Sequence, residues 1–384
     1  MTFRKVALKI HLWLGLSSGL IVLILALSGC ILSFEKEIKL KLYPERYFVN
    51  TVEKEKLPLS DLKIMAQQAM PEKQAISRVE ITADPKRTYI FRALKIDDNA
   101  LTFWGAYKYY YRVYINPYNG KVIEVENVKQ DFFEIVLNLH RRLLLGEKVG
   151  KYITGYATLF FLISLLTGLV IWVPRKVNKN TIKGMFKIKI TSNLKRLNYD
   201  LHNVLGFYSV VPLILISYSA IIWSFKDVDQ LIQKLLNGNE HTKEKPRSIP
   251  IDDPTDSKKI TNIVWSIVEK NLADKNSALI NFPKTEEGTY YAEITYANKQ
   301  YQNDHYNFDQ YSGKILKSQF YKDKNTGAGT ALRERNYDLH TGTIIGTGGR
   351  IIYFFASIIA FSLPVSGLII YLNKGKKKKQ PKKK

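Results

Sequence analysis

Four of the six histidines recur in matched settings. "KIHLWLG" places His11 four residues before Gly15, and "LHNVLG" places His202 four residues before Gly206. "LHRRLLLG" and "LHTGTIIG" carry His140 and His340, each six residues before a glycine, Gly146 and Gly346. A neutral imidazole offers one nitrogen lone pair, so two imidazoles facing one another across an apolar slot suit the axial positions of a haem iron. A glycine four residues on lies about one helical turn along the same face and removes bulk where a flat ring could approach. At a spacing of six the glycine falls on another face; "GEKVG" and "GTGG" point there to a bend in the backbone. Arg141 and Arg142 adjoin His140 and could pair with haem propionates or an anionic substrate, or anchor the chain at an interface. A single histidine at a membrane edge can also serve only to bond a neighbouring helix. Recurrence at matched positions favours ligation. His241 and His305 have no repeated partner and read as solvated surface residues.

The elements that must hold these histidines are apolar and long. No Asp, Glu, Lys or Arg occurs at 10–34, 152–174, 201–225 or 351–373. Crossing a hydrocarbon core as a helix takes about 20 apolar residues, so each window can span a bilayer. His11 and His202 then sit at the starts of the first and third spans. His140 and His340 lie in approach segments, 139–151 and 336–350, before the second and fourth. The net charge of +24 would otherwise point to nucleic acid. Most of it is carried by three stretches: 1–9 (Arg4, Lys5, Lys9), the loop 175–200, and the tail 374–384, "KGKKKKQPKKK". In a four-span chain all three fall on one side, where Lys and Arg accumulate in cytoplasmic segments. Both termini are therefore expected in the cytoplasm, with no nucleic-acid partner and a possible hold on anionic lipid head groups. Trp13, Trp172, Trp223 and Tyr371 lie near span ends and read as an interfacial aromatic belt.

The chain is written twice. The first and third apolar segments align without gaps, matching His11 to His202, Gly15 to Gly206 and "SF" at 33–34 to "SF" at 224–225. "TGLVIW" at 167–172 matches "SGLIIY" at 366–371, and "YINPYNGKVIEVE" at 114–126 resembles "NFDQYSGKILKSQ" at 307–319. The last match pairs Asn116 with Asp309, Tyr118 with Tyr311 and Gly120–Lys121 with Gly313–Lys314. Both halves start on the same side, so the repeats are parallel. "LSGC" at 27–30 resembles a lipoprotein cleavage box, but in this register Cys30, the only cysteine, falls on Ile221, an ordinary mid-helix position. The segments 36–138 and 227–335 read as small α+β domains outside the cytoplasm. Helices are expected near 59–70 and 259–273, a strand at "GTYYAEITY", and two strands with a Pro-Asn-Gly reversal in "YYYRVYINPYNGKVIEVE". The tyrosines of 107–114 suit strand packing. No Ser-His-Asp set, metal-spaced Cys/His cluster, paired acids or Gly-rich phosphate loop is present in either segment.

"H-x-W-x-G", "LHRRLLLG", "DLHNVLG", "DLHTGTIIG" and the paired "Y-x-G-K" hairpins resemble the PepSY-associated transmembrane proteins over about residues 4–373. This group is described as iron-regulated membrane proteins and includes ferric-siderophore reductases. The resemblance implies a bacterial inner-membrane protein with four spans, two PepSY-type periplasmic domains and two b-type haems. His11 and His202 would hold the inner haem, and His140 and His340 the outer one. It also implies a ferric-chelate reductase, a transmembrane oxidoreductase acting on a ferric siderophore. The chain has no fused flavodoxin or reductase domain, which leaves a cytoplasmic or quinol donor unassigned. A reading from another class is a non-redox membrane protein whose PepSY-like domains bind a peptide, a protease or another partner and regulate it. Transport of the chelate is weaker, because no charged or broken span lines a path.

Overall fold

The computed structural model describes residues 2–174, 178–238, 246–272, 276–296, 299–323 and 327–378. His241, Arg175, Lys176 and the last six residues of the basic tail lie outside them. The chain forms two compact units, each built from separated stretches: 1–34, 136–231 and 336–384 make one, 35–135 and 232–335 the other.

The first unit is a bundle of four long helices, Phe3–Leu32, Glu147–Trp172, Leu194–Ser224 and Gly346–Lys378. All four are long and apolar enough to cross a membrane. The helices run past the charge-free windows, so Arg4, Lys5, Lys9, Lys195, Arg196 and Asp200 are helical too. Long basic side chains can reach polar surroundings from such positions, so a span need not end where its charges begin. The first helix packs on the second and fourth, and the third packs on the same two, so first and third stand diagonally across the bundle. Ala26, Leu165, Val210, Leu213, Ala356, Ala360 and Leu363 fill the middle. Small residues permit close approach: a Cβ on Gly19 would stand 3.3 Å from Pro364 of the fourth helix.

The second unit is one antiparallel sheet of eight strands: β1 (Ile76–Thr82), β2 (Tyr89–Ile96), β3 (Tyr107–Ile115), β4 (Val122–Asn127), β5 (Ser277–Asn281), β6 (Thr289–Thr295), β7 (Asn303–Asp309) and β8 (Ile315–Gln319). The order is β4-β3-β2-β1-β5-β6-β7-β8. The two segments expected as small domains thus share a sheet, joined where β1 pairs with β5 from Arg78↔Asn281 to Thr82↔Ser277. A lone four-stranded sheet would leave β1 and β5 as edges with unpaired N–H and C=O groups, and pairing them removes both edges. Helices Leu59–Gln68 and Ser257–Asn271 supply Leu59, Leu62, Ile260 and Val264 to one core with Val79, Phe91, Ile280 and Phe308 of the strands. The helices are tied by a reciprocal pair: Ser60 N–H donates to Asn262 Oδ1, and Asn262 Nδ2 donates to Ser60 Oγ, both at 3.0 Å.

The two matched hairpins close in the same way. In the β3–β4 turn the Asn116 side chain accepts from Tyr118 N–H at 2.9 Å, and Gly120 takes φ +71°. In the β7–β8 turn Asp309 accepts from Tyr311 N–H at 3.0 Å, and Gly313 takes φ +70°. Positive φ is what makes glycine the suited residue at both places. Tyr107, Tyr110 and Tyr114 are buried, as strand packing requires.

Candidate functional site: two histidine pairs

The bundle brings together the four repeated histidines as two facing pairs. His11 of the first long helix meets His202 of the third across the diagonal, with ring centres 6.2 Å apart and planes at 89°. His140 and His340 meet with centres 6.0 Å apart and planes at 68°. Two imidazoles bound to opposite sides of one metal ion, with bonds of about 2 Å and about 1.1 Å from each nitrogen to its ring centre, would have centres about 6.2 Å apart. The spacing of both pairs would fit a single metal ion held between two imidazoles.

Each ring is held from behind by the same device. His11 Nδ1 lies 2.9 Å from the Ser164 carbonyl and 3.4 Å from Thr167 Oγ1. His140 Nδ1 lies 2.9 Å from the Leu25 carbonyl and 3.0 Å from Ser28 Oγ. His202 Nδ1 reaches Ser366 Oγ at 2.9 Å and the Leu363 carbonyl, and His340 Nδ1 reaches Ser219 Oγ at 3.0 Å and the Ile216 carbonyl. Every ring therefore meets a carbonyl three residues before a Ser or Thr, whose hydroxyl also bonds that same carbonyl. A carbonyl can only accept, so Nδ1 carries the proton and Nε2 keeps the lone pair. Among the described residues no hydrogen bond engages any of the four Nε2 atoms. The residue after the Ser or Thr is small: Gly29, Gly168, Ala220 and Gly367. A Cβ on any of the three glycines would stand 3.3 Å from Cε1 of the histidine it backs, so the ring lies directly on the helix.

The two pairs are positioned by different means. His11 and His202 sit on the long helices themselves. His140 lies in the last turn of a short helix, Phe132–Arg142, and His340 lies in another, Asn336–Thr341. Each short helix doubles back onto the long helix that follows it. Leu143 and Leu144 take φ of +55° and +59° to make the first reversal; Gly342 and Gly346, at +77° and +71°, make the second. A Cβ on Gly150 would collide with the Arg142 carbonyl, and one on Gly349 with the Gly342 carbonyl. Thr154 Oγ1 donates to the Arg141 carbonyl at 3.0 Å, and Asn336 Nδ2 donates to the Ser219 carbonyl at 3.0 Å. The bends read from "GEKVG" and "GTGG" are these close approaches. Burial, outside the four spanning segments, pushes the His140 imidazole down to about 4 and the His340 imidazole down to about 3. Both rings are thus neutral and ligand-competent near neutral pH.

The other expected residues divide. Gly15 faces open space, whereas a Cβ on Gly206 would touch Leu363 at an ordinary 3.5 Å, so only Gly15 leaves room of its own. Arg142 is ion-paired with Glu147, and Arg141 is exposed. His305 is not a solvated surface residue: its Nδ1 bonds Tyr291 Oη and lies 3.6 Å from Glu293 across the strands, because β6 and β7 place all three on one face. Trp223 lies tilted at 56° to His340 with centres 5.0 Å apart, Trp172 stacks on Phe207 at 3.9 Å, and Trp13 is exposed. Cys30 lies in the last turn of the first helix, with its thiol 3.8 Å from the Phe354 carbonyl. The Ser/Thr–Gly/Ala pairs are the part that reading the sequence missed. "TGLVIW" and "SGLIIY" contained two of them, matched as repeats but not tied to any histidine.

Four membrane-spanning helices, an eight-stranded antiparallel sheet and two histidine pairs define a polytopic membrane protein. A family model described as PepSY-associated TM region matches residues 8–374, nearly the whole chain, and the protein belongs to that family. No curated protein matches it significantly.

Proposed function

We propose that the protein is a di-haem b-type electron carrier of a bacterial inner membrane that reduces ferric-siderophore or similar iron chelates on the periplasmic side. The observation that carries this reading is the ring-to-ring spacing of 6.2 Å and 6.0 Å in two pairs whose Nδ1 atoms are bonded away from one another's partner. Among the described residues no group of three or more His, Cys, Asp or Glu side chains gathers. Each site thus offers two imidazoles, which fits an ion whose remaining ligands come from a macrocycle. Haem bound there would supply one-electron exchange between Fe(III) and Fe(II). The chain's own contribution is to fix each imidazole tautomer through Nδ1, to set ligand basicity through those bonds, and to keep the slot apolar.

His11 and Ser28, the partner of His140, are seventeen residues apart on one helix, and His202 and Ser219 are seventeen apart on another. At 1.5 Å per residue the two levels are about 25 Å apart, nearer than a full helix length would place them. In this reading the halves are tandem parallel repeats, the sheet is a pair of PepSY-like domains in the periplasm, and the termini are cytoplasmic. The basic segments at 1–9 and 175–200 and the matched hairpins support that arrangement. A ferric chelate receiving one electron, drawn through the protein from a cytoplasmic or quinol donor, becomes Fe(II), which hard catecholate or hydroxamate oxygens hold less firmly, so the iron is released.

A visible spectrum of the purified protein tests this. A low-spin b-type Soret band that shifts on dithionite reduction is expected. In His202→Ala about half the pigment should be lost, as one of two bis-imidazole sites loses a ligand. A colourless wild-type protein, or a full complement of pigment in the variant, would overturn the assignment.

A further inference from the structure

The helix Lys226–Asn237 leaves three leucines of its apolar face exposed, an arrangement ill suited to water. At 100° per residue, Val228, Leu231, Ile232, Leu235 and Leu236 fall on one side, and Lys226, Gln230, Gln233, Lys234 and Asn237 on the other. On the polar side Gln233 and Asn237 are docked, while Lys226, Gln230 and Lys234 are exposed. Gln233 Nε2 donates to the Gly329 carbonyl at 2.9 Å, Asn237 Nδ2 donates to Thr330 Oγ1 at 2.9 Å, and Gly329 N–H donates to Asn237 Oδ1 at 2.7 Å. Glycine at 327 and 329 makes the approach possible, since a Cβ at 327 would collide with the Asn237 amide. On the apolar side Val228 and Ile232 are half-buried, whereas Leu231 is 56% exposed, Leu235 73% and Leu236 48%.

In water this arrangement would leave three neighbouring leucines unburied. It is stable where the surroundings on the open side are hydrocarbon. The position of the helix supplies them. A single residue, Phe225, separates it from the third spanning helix, so it begins at the height where that span ends. Phe225 packs against Tyr156 and Tyr152 of the second span, with ring centres 5.1 Å and 6.2 Å away, the ring types that mark a bilayer boundary.

We propose that Lys226–Asn237 is an interfacial helix, lying in the plane of the bilayer with Leu231, Leu235 and Leu236 among the acyl chains. Its charges balance, with Lys226 and Lys234 against Asp227 and Asp229. The attachment is therefore driven by apolar burial, and a zwitterionic lipid surface suffices. Gln233 and Asn237 tie the end of this helix to the helix Ala328–Glu334. The inference rests on the spanning helices and stands whether or not the histidine pairs bind haem.

The test uses the full chain with Cys30→Ala, carrying Leu235→Cys or Gln230→Cys, each labelled with a bimane and placed in phosphatidylcholine nanodiscs. Acyl-chain spin-labelled lipid should quench the label at 235 several-fold more than the label at 230, and aqueous iodide should show the reverse order. Replacing half the lipid with phosphatidylglycerol, or raising the salt, should change neither result. Equal iodide access at the two positions would overturn the proposal. So would a Leu235→Cys protein that oxidises to a dimer in nanodiscs holding two copies, which would assign the face to a second chain. Quenching at 235 that appears only with anionic lipid would overturn the apolar mechanism.

Discussion

The two histidine pairs solve one problem with different backbones. One pair, His11 and His202, the inner one in the proposed orientation, rides on the long helices themselves. The outer pair, His140 and His340, hangs from short helices that must be folded back by residues at positive φ. Both end with Nδ1 on a carbonyl beside a Ser or Thr and with nearly equal ring spacing. The lesson is that the local device, a carbonyl with its adjoining hydroxyl and a small residue behind the ring, is what the two levels share. The route by which each imidazole arrives is free to differ.

The comparison breaks most sharply at the turn before the fourth helix. Gly349→Ala puts a Cβ into the Gly342 carbonyl, against which the helix cannot give. The outer pair should separate, about half the bound pigment should disappear, and the inner pair should keep its spectrum. Loss of both bands together would mean that the levels are not independent. A smaller effect is expected from Ser366→Ala, which removes a 2.9 Å partner of His202 and leaves the Leu363 carbonyl. Outer-shell partners of ligating histidines typically contribute about tenfold or more in affinity, so haem titration of the stripped protein should weaken by about tenfold at the inner site only.

A third effect is on stability against pH, and it belongs to the outer pair. An unfolded histidine titrates near 6.5, whereas burial holds His140 at about 4 and His340 at about 3. The unfolded chain binds more protons between those values, so stability is complete above about pH 6.5 and falls as pH drops towards 4. Thermal unfolding of the stripped protein should shift downward over that window, and His340→Gln should flatten the slope. An unchanged slope in that variant would show that other groups set it.

Much of this was legible in the chain because it is periodic and duplicated. Charge-free windows mark the four spans, since a charge in hydrocarbon is costly at almost any depth. The hairpins of Asn116–Gly120 and Asp309–Gly313 were legible because turn chemistry is local. The ends of the spans were not, because helix continues into charged residues whose charges are met there: Arg4 donates to the Ile171 and Val173 carbonyls, and Arg196 pairs with Asp200. Nor was the status of His305, since a strand residue's exposure depends on what its neighbours across the sheet carry.

Residue order alone determined the four spans, the four repeated histidines and the fold's twofold repetition of motifs, because hydropathy and self-similarity are properties of the string. Only the tertiary structure decided that β1 pairs with β5 to fuse two sheets into one, and which carbonyl holds which imidazole. Those facts join residues more than a hundred positions apart. Contacts at that range are chosen by packing and by the cost of leaving backbone groups unpaired, and neither is written in any single stretch of sequence.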